Sequence, residues 1–141
     1  MKLKKYEISF EKYLHEGGLP CVDITIKDKK FIFLLDSGSD LSYIDSNVAE
    51  DLVLELIYTG EPGLLRTMGS VQSTAVKYEV PFVFDGSDVG VKSEFVGIEI
   101  KKTTNHLKVK FDGIIGLDIL TAVKACICFD DNKLKLSIDE H

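Results

Sequence analysis

Apolar and polar positions alternate with a period of two along most of this chain. Tyr6, Ile8 and Phe10 stand between polar neighbours, Cys21-Val22-Asp23-Ile24-Thr25-Ile26 alternates again, and Leu107, Val109 and Phe111 are separated by Lys108 and Lys110. Such alternation predicts strands with one buried face. Phe31-Ile32-Phe33-Leu34-Leu35 differs: its apolar run is unbroken, as in a strand buried on both faces. The polar turn Asp28-Lys29-Lys30 joins it to the preceding strand as a hairpin. Leu64–Met68 and Val71–Phe84, separated by Gly69-Ser70, predict a second hairpin with glycine at its tip. Pro81 puts part of that second stretch at an edge or bulge. Val91–Ile100 is strand-like, and Ala125–Phe129 with Leu134–Ile138 predicts a last hairpin around Asp130-Asp131-Asn132-Lys133.

Two segments carry helical signals. Asp45-Ser46-Asn47 offers N-caps to a helix through Val48–Leu54, and Leu117, Leu120 and Val123 fall three residues apart. Lys101–His106 reads as a polar loop. Many short strands with two short helices predict an all-β fold, a small closed β-barrel, with residues 1–141 forming a single domain.

Composition narrows the partners. The 141 residues carry a net charge of -6, and Arg66 is the sole arginine, which weighs against nucleic acid as a partner. No stretch reaches the length of a membrane span. Glu7, Ser9, Glu11 and Lys12 interrupt any signal-peptide core after Met1-Lys2-Leu3-Lys4-Lys5, so the chain reads as intracellular, in the cytoplasm. Cys21, Cys126 and Cys128 have no framework spacing and read as free thiols of a reducing compartment. Cys126 and Cys128 would share one face of a strand and are expected to be small core residues rather than a metal or redox pair. His15, His106 and His141 are scattered singly. No metal and no organic cofactor is expected.

The chemistry concentrates behind the apolar run. Asp36-Ser37-Gly38 puts a carboxylate in a small-residue turn at the strand's end, followed by Ser39-Asp40-Leu41-Ser42-Tyr43-Ile44. Gly113-Ile114-Ile115-Gly116-Leu117-Asp118 supplies a second signal far downstream. Asp45-Ser46, Asp85-Gly86 and Asp112-Gly113 lack both the apolar strand before and the small-small turn after, and read as turns or caps.

This pair of motifs resembles the retropepsin-like aspartic proteases, the single-lobe relatives of pepsin, over residues 20 to 138. The resemblance implies a barrel of the acid-protease type with one lobe per chain. It also implies a homodimer that hydrolyses peptide bonds by a water held between two Asp36 carboxylates, one per chain. In that chemistry the pair shares one proton; the ionised member activates the water and the protonated member stabilises the gem-diol. Activity should then peak below neutrality and fall faster than linearly on dilution. Under the same resemblance Ser37 would bond across the dyad, and Gly38 would let the backbone approach substrate. Ser39 and Asp40 would bind substrate main chain, Met68, Gly69 and Ser70 would form a flap tip, and Ile114 and Ile115 would line pockets beside the dyad. The partner implied is an extended peptide or protein substrate. One departure stands out. Where retroviral members carry an arginine that pairs with an acidic residue after the catalytic one, this chain has Leu117 and Asp118. Asp40 is left to meet a lysine, substrate or solvent. Two other readings compete: a dimer of this fold that binds peptide or protein without cleaving it, and a monomeric β-barrel interaction module with a chance Asp-Ser-Gly. The terminal strands are candidate dimer strands, with helix-mediated pairing as the alternative.

Overall fold

The computed structural model describes residues 2–59, 65–67, 70–72, 76–88 and 90–140. Strand β1 (Lys2–Ser9) leads into helix α1 (Glu11–Gly17). Phe10 caps the helix instead of extending the strand, and Gly18, at φ 75°, closes it by donating to Leu14 O at 2.8 Å. Strands β2 (Cys21–Ile26) and β3 (Lys29–Leu35) form the expected hairpin. Its turn is Lys27-Asp28, both at positive φ, which matches the right-handed twist of the flanking strands.

Next come β4 (Tyr43–Asp45), α2 (Ser46–Asp51), β5 (Glu55–Thr59), β6 (Leu65–Thr67), β7 (Ser70–Gln72), β8 (Val76–Phe84) and β9 (Gly90–Ile98). The remainder is α3 (Ile100–Thr103), β10 (Gly113–Ile115), α4 (Leu117–Ala122), β11 (Cys126–Cys128) and β12 (Lys133–Glu140). Among the described residues four short helices thus stand where two were expected. The single turn α3 opens the segment read as a polar loop, because Ile100 is buried and its carbonyl accepts from Thr104. Leu107–Phe111 buries Val109 and Phe111 as its alternation implies, yet joins no sheet. It packs beside α1, so closely that a Cβ on Gly17 would lie 2.6 Å from Val109 Cγ2.

Strands β2, β3, β10, β4, β9 and β8 close into a six-stranded barrel, sealed by pairing of β8 with β2. Strand β8 is shared. Its first residues pair with β5 and its last two with β2, and Pro81, which has no N–H to donate, falls in the gap between them. Inward-facing Phe33, Phe82, Phe84 and Phe95 pack edge to face with ring centroids 5.2–5.7 Å apart. Each such ring withdrawn from water stabilises the fold by roughly 2–3 kcal/mol. A second apolar cluster joins Tyr13, Tyr43, Val96, Ile100, Phe111 and Ile114. The termini form a separate sheet, β1-β12-β11, whose Leu134 and Leu136 close the main core. Among the described residues no helix is long and apolar enough to cross a membrane.

Cys21 is buried, and burial pushes its thiol up to about 12. Cys126 and Cys128 do share one face, with sulfurs 3.1 Å apart, but they are not core residues. Cys126 is exposed and Cys128 half-buried, because β11 is an edge strand that covers little of the core.

Candidate active site

Topology delivers the two motifs to one place. Strands β3 and β10 run parallel with Leu35 opposite Ile115, so Asp36 and Gly116 emerge side by side at the same ends. Asp36 N–H continues the ladder by donating to Ile115 O at 3.0 Å. Strand β4 lies on the other flank of β10, antiparallel to it. The chain from Asp36 to Ser42 must therefore arch over the end of β10. That arch explains Gly116: a Cβ there would lie 2.2 Å from Leu41 O and 2.7 Å from Ser39 O, both backbone atoms.

The arch is held from beneath by α4. Leu117 N–H donates to Ser39 O at 2.7 Å and Asp118 N–H to Asp40 O at 3.2 Å. Ser42, fully buried, is the central post. Its hydroxyl donates to Asp118 Oδ1 at 2.6 Å and accepts from Gly116 N–H at 2.9 Å, while its own N–H donates to Asp118 Oδ2 at 3.2 Å. Bonds to an ionised acceptor are the stronger kind, so Asp118 is the main fastening of the arch. The sequence reading missed these roles. A hydroxyl before Tyr43-Ile44 and an acid in a helix's first turn were the signals, but the second reads locally as a helix-dipole residue.

Within the arch, Asp36 is half-buried at its inner end, and Gly38 N–H donates to Asp36 Oδ1 at 2.9 Å. This orients the carboxylate, and a Cβ on Gly38 would press to 3.2 Å from the same oxygen. Ser37 and Gly38 are exposed. Ser39 turns inward, its hydroxyl donating to Leu41 O at 2.7 Å. Asp40 is exposed, and among the described residues no cation pairs with it. Of the alternatives for Asp40, the lysine contact is not made within the described chain. Tyr43 lies beneath. Burial pushes its phenol up, the Ser39 hydroxyl pulls it back, and the nearby Asp118 and Asp40 carboxylates push it up again.

Ile114 and Ile115, expected as pocket walls, are 8% and 0% exposed, so their side chains are core. What Ile115 contributes to the site is its carbonyl. The reason is the barrel: a central strand between two neighbours turns its side chains into the two clusters. Met68 and Gly69 lie outside the described residues. Ser70 opens β7, which pairs antiparallel with β6 through Thr67 opposite Ser70. Of the three motifs set aside, Asp45 caps α2 by accepting from Val48 N–H at 3.3 Å. Asp85 accepts from the Thr25 hydroxyl at 2.5 Å. Asp112 accepts from Ile32 N–H and Lys101 Nζ, both at 2.9 Å. Among the described residues no group of three or more His, Cys, Asp or Glu side chains could hold a metal ion.

Comparison with known proteins agrees with this geometry. A family model described as aspartyl protease matches residues 22–119. The fold superposes on a retropepsin-like aspartic protease from Rickettsia conorii with TM-score 0.58 at 13% identity, covering 96% of this chain and 92% of that one. It superposes on the retroviral protease-like domain of Ddi1 from Leishmania major with TM-score 0.55 at 17% identity, covering 87% and 96%. A search of curated protein sequences finds no match.

Proposed function

This chain belongs to the aspartyl protease family, and from that premise we propose that it is an aspartic endopeptidase active as a homodimer. The observation that carries the reading is Asp36 itself. The fold spends many bonds on shaping the turn around it, yet the described structure gives the carboxylate only the Gly38 N–H. A side chain so oriented and so little used is available for chemistry. One carboxylate cannot serve both as base and as acid in the same step, and the chain has a single Asp-Ser-Gly. The second carboxylate is Asp36 of another copy, placed across a two-fold axis. Two such groups about 3 Å apart hold one proton between them, which is the state the chemistry needs. Peptide lies extended across the axis, its main chain meeting Gly38, Ser39 and Asp40.

The test is digestion of an unstructured peptide mixture at mildly acidic pH by wild type and Asp36→Asn in parallel. Wild type cleaves; the variant, still folded, loses at least about 10³-fold in kcat/KM, the scale of removing a general acid–base pair. Equal cleavage by both would refute the assignment. No cleavage by a folded wild type, with peptide still bound, would move the protein to the non-catalytic binding dimer.

A further inference from the structure

We propose that Cys126 and Cys128, which the protease reading leaves unused, are a reversible redox pair: a dithiol that closes to a disulfide within one strand by exchange with a small anionic disulfide. The inference stands apart from the protease reading. Both cysteines lie on β11 and face the same way, their sulfurs 3.1 Å apart in hydrogen-bond contact. A disulfide bond measures about 2.05 Å, so the sulfurs need approach by only about 1 Å to join. Two thiolates on one zinc ion would stand about 3.8 Å apart, from Zn–S bonds of about 2.3 Å at tetrahedral angles. Contact this close suits a bond between the sulfurs better than a shared ion.

The place in the fold allows the closure. Residues two apart on a strand have Cα atoms about 6.6 Å apart, near the upper limit of about 6.8 Å for a disulfide. Closing the bond therefore puckers the strand. Strand β11 tolerates this because it is short and stands at the edge of the sheet β1-β12-β11. Among the described residues it pairs with β12 alone, Cys126 opposite Lys135 and Cys128 opposite Lys133. A bridge made under such constraint is reduced more readily than a structural disulfide, so the pair opens as well as closes. Cys21 takes no part, because it is buried in β2 and burial keeps its thiol protonated.

The two thiols differ. Cys126 is exposed and Cys128 half-buried. The hydrogen bond to Cys126 is the main cause that raises the Cys128 thiol above its ordinary value, so Cys128 keeps its proton while Cys126 attacks. A pocket of about 250 Å³ at Cys126 is lined by Lys5, Lys124 and Lys135 against one carboxylate, Glu7. Lys135 also meets Asp131 at 3.3 Å and Glu7 at 3.9 Å, which leaves Lys5 and Lys124 to make the pocket positive. That charge draws an anionic reagent such as oxidised glutathione. The Cys126 thiolate, its proton released to solvent, attacks one sulfur of the reagent, forming a mixed disulfide and expelling a thiolate that takes up a proton. Cys128 then loses its proton and attacks the Cys126 sulfur, expelling the second thiolate, which is protonated in turn. Two protein thiols are oxidised to one disulfide and the reagent is reduced to two thiols.

Oxidised glutathione added to folded wild type, Cys126→Ser and Cys128→Ser tests the inference, with the products read by mass spectrometry without reductant. Trypsin cuts after Lys124 and Lys133 and so leaves Cys126 and Cys128 together in peptide 125–133, apart from Cys21. In wild type that peptide becomes about 2 Da lighter, by two hydrogens, retains no glutathione and regains its mass with dithiothreitol. In Cys128→Ser the mixed disulfide on Cys126 persists, because the thiol that would resolve it is gone. Cys126→Ser forms its adduct at least about fivefold more slowly, since its remaining thiol is less accessible. A wild type that keeps both thiols, carries stable glutathione on either, or links two copies through them overturns the inference. Equal adduct rates in the two variants overturn the assignment of Cys126 as the attacking thiol. Should either variant fail to fold by circular dichroism, the wild-type peptide decides.

Discussion

The arch over β10 and the groove beside it share Ser37, yet they are built on opposite terms. In the arch nearly every polar group is used: Ser39 and Asp40 carbonyls, the Ser42 hydroxyl and both Asp118 oxygens have partners. In the groove, between α4 and β11, Leu117 and Phe129 are exposed apolar side chains. One chain completes the geometry of a catalytic turn, because that geometry is a matter of local bonds and a close glycine contact. Under the proposed reading it does not complete the chemistry, which needs a second carboxylate. Substitutions in the arch should therefore register as stability far more than substitutions in the groove.

Gly116→Ala should break the arch most severely. Its methyl would meet two backbone carbonyls that no side-chain rotation can move, costing about 3 kcal/mol or more. Urea unfolding should show the loss, together with loss of cleavage. A midpoint unchanged from wild type would mean that the arch is looser than its contacts imply.

Asp118→Ala comes next, at about 2 kcal/mol, since it strips a charged acceptor from a buried hydroxyl and a buried N–H. Asp118→Asn should recover only part of that. It keeps Oδ1 for the Ser42 hydroxyl but sets an NH₂ against the Ser42 N–H. Equal stability of the Ala and Asn variants would show that the bond network does not hold the arch.

A smaller effect is expected where the barrel is tied to α3. Asp112, accepting a hydrogen bond from Lys101, is the main cause that raises the Lys101 ammonium above the ordinary 10.5, against some burial. A lysine whose folded value is raised contributes stability that is fully present below the ordinary value and lost as pH climbs through the raised one. Lys101→Met should thus be less stable than wild type at neutral pH, by under about 1 kcal/mol because the Lys101 side chain is half exposed. The gap should close in strongly alkaline solution. A gap independent of pH would assign the effect to packing instead.

Smallest of all is the intrinsic cost of Thr121→Arg. Measured at concentrations where wild type is monomeric, its stability should match within about 0.5 kcal/mol. A larger loss there would make Thr121 part of the packed structure rather than of an exposed groove.

How much of this was legible beforehand differs from element to element. Strands such as Cys21–Ile26 were readable because a period of two in polarity maps directly onto burial, and the cap at Asp45 because it satisfies orphan N–H groups three residues away. Helix α1 was hidden. Phe10 prolongs the alternation of β1, and the helical face, Phe10 with Tyr13 and Leu14, is too short to outweigh it. Cys126 and Cys128 were placed on the correct face but given the wrong burial, because burial of an edge strand depends on what lies over it, not on its own residues.

Local sterics and hydrophobic patterning are enough to set the apolar strand, the carboxylate at its end and the tight turn of small residues behind it. It took the folded barrel to bring Ser42 and Asp118, 76 residues apart, together to fasten that turn. The barrel also decided that Ile115 would serve through its carbonyl, and that the face beside Ser37 would be left apolar. Those outcomes depend on which strands lie side by side, and pairing over such distances in the chain is settled by the closure of the whole barrel.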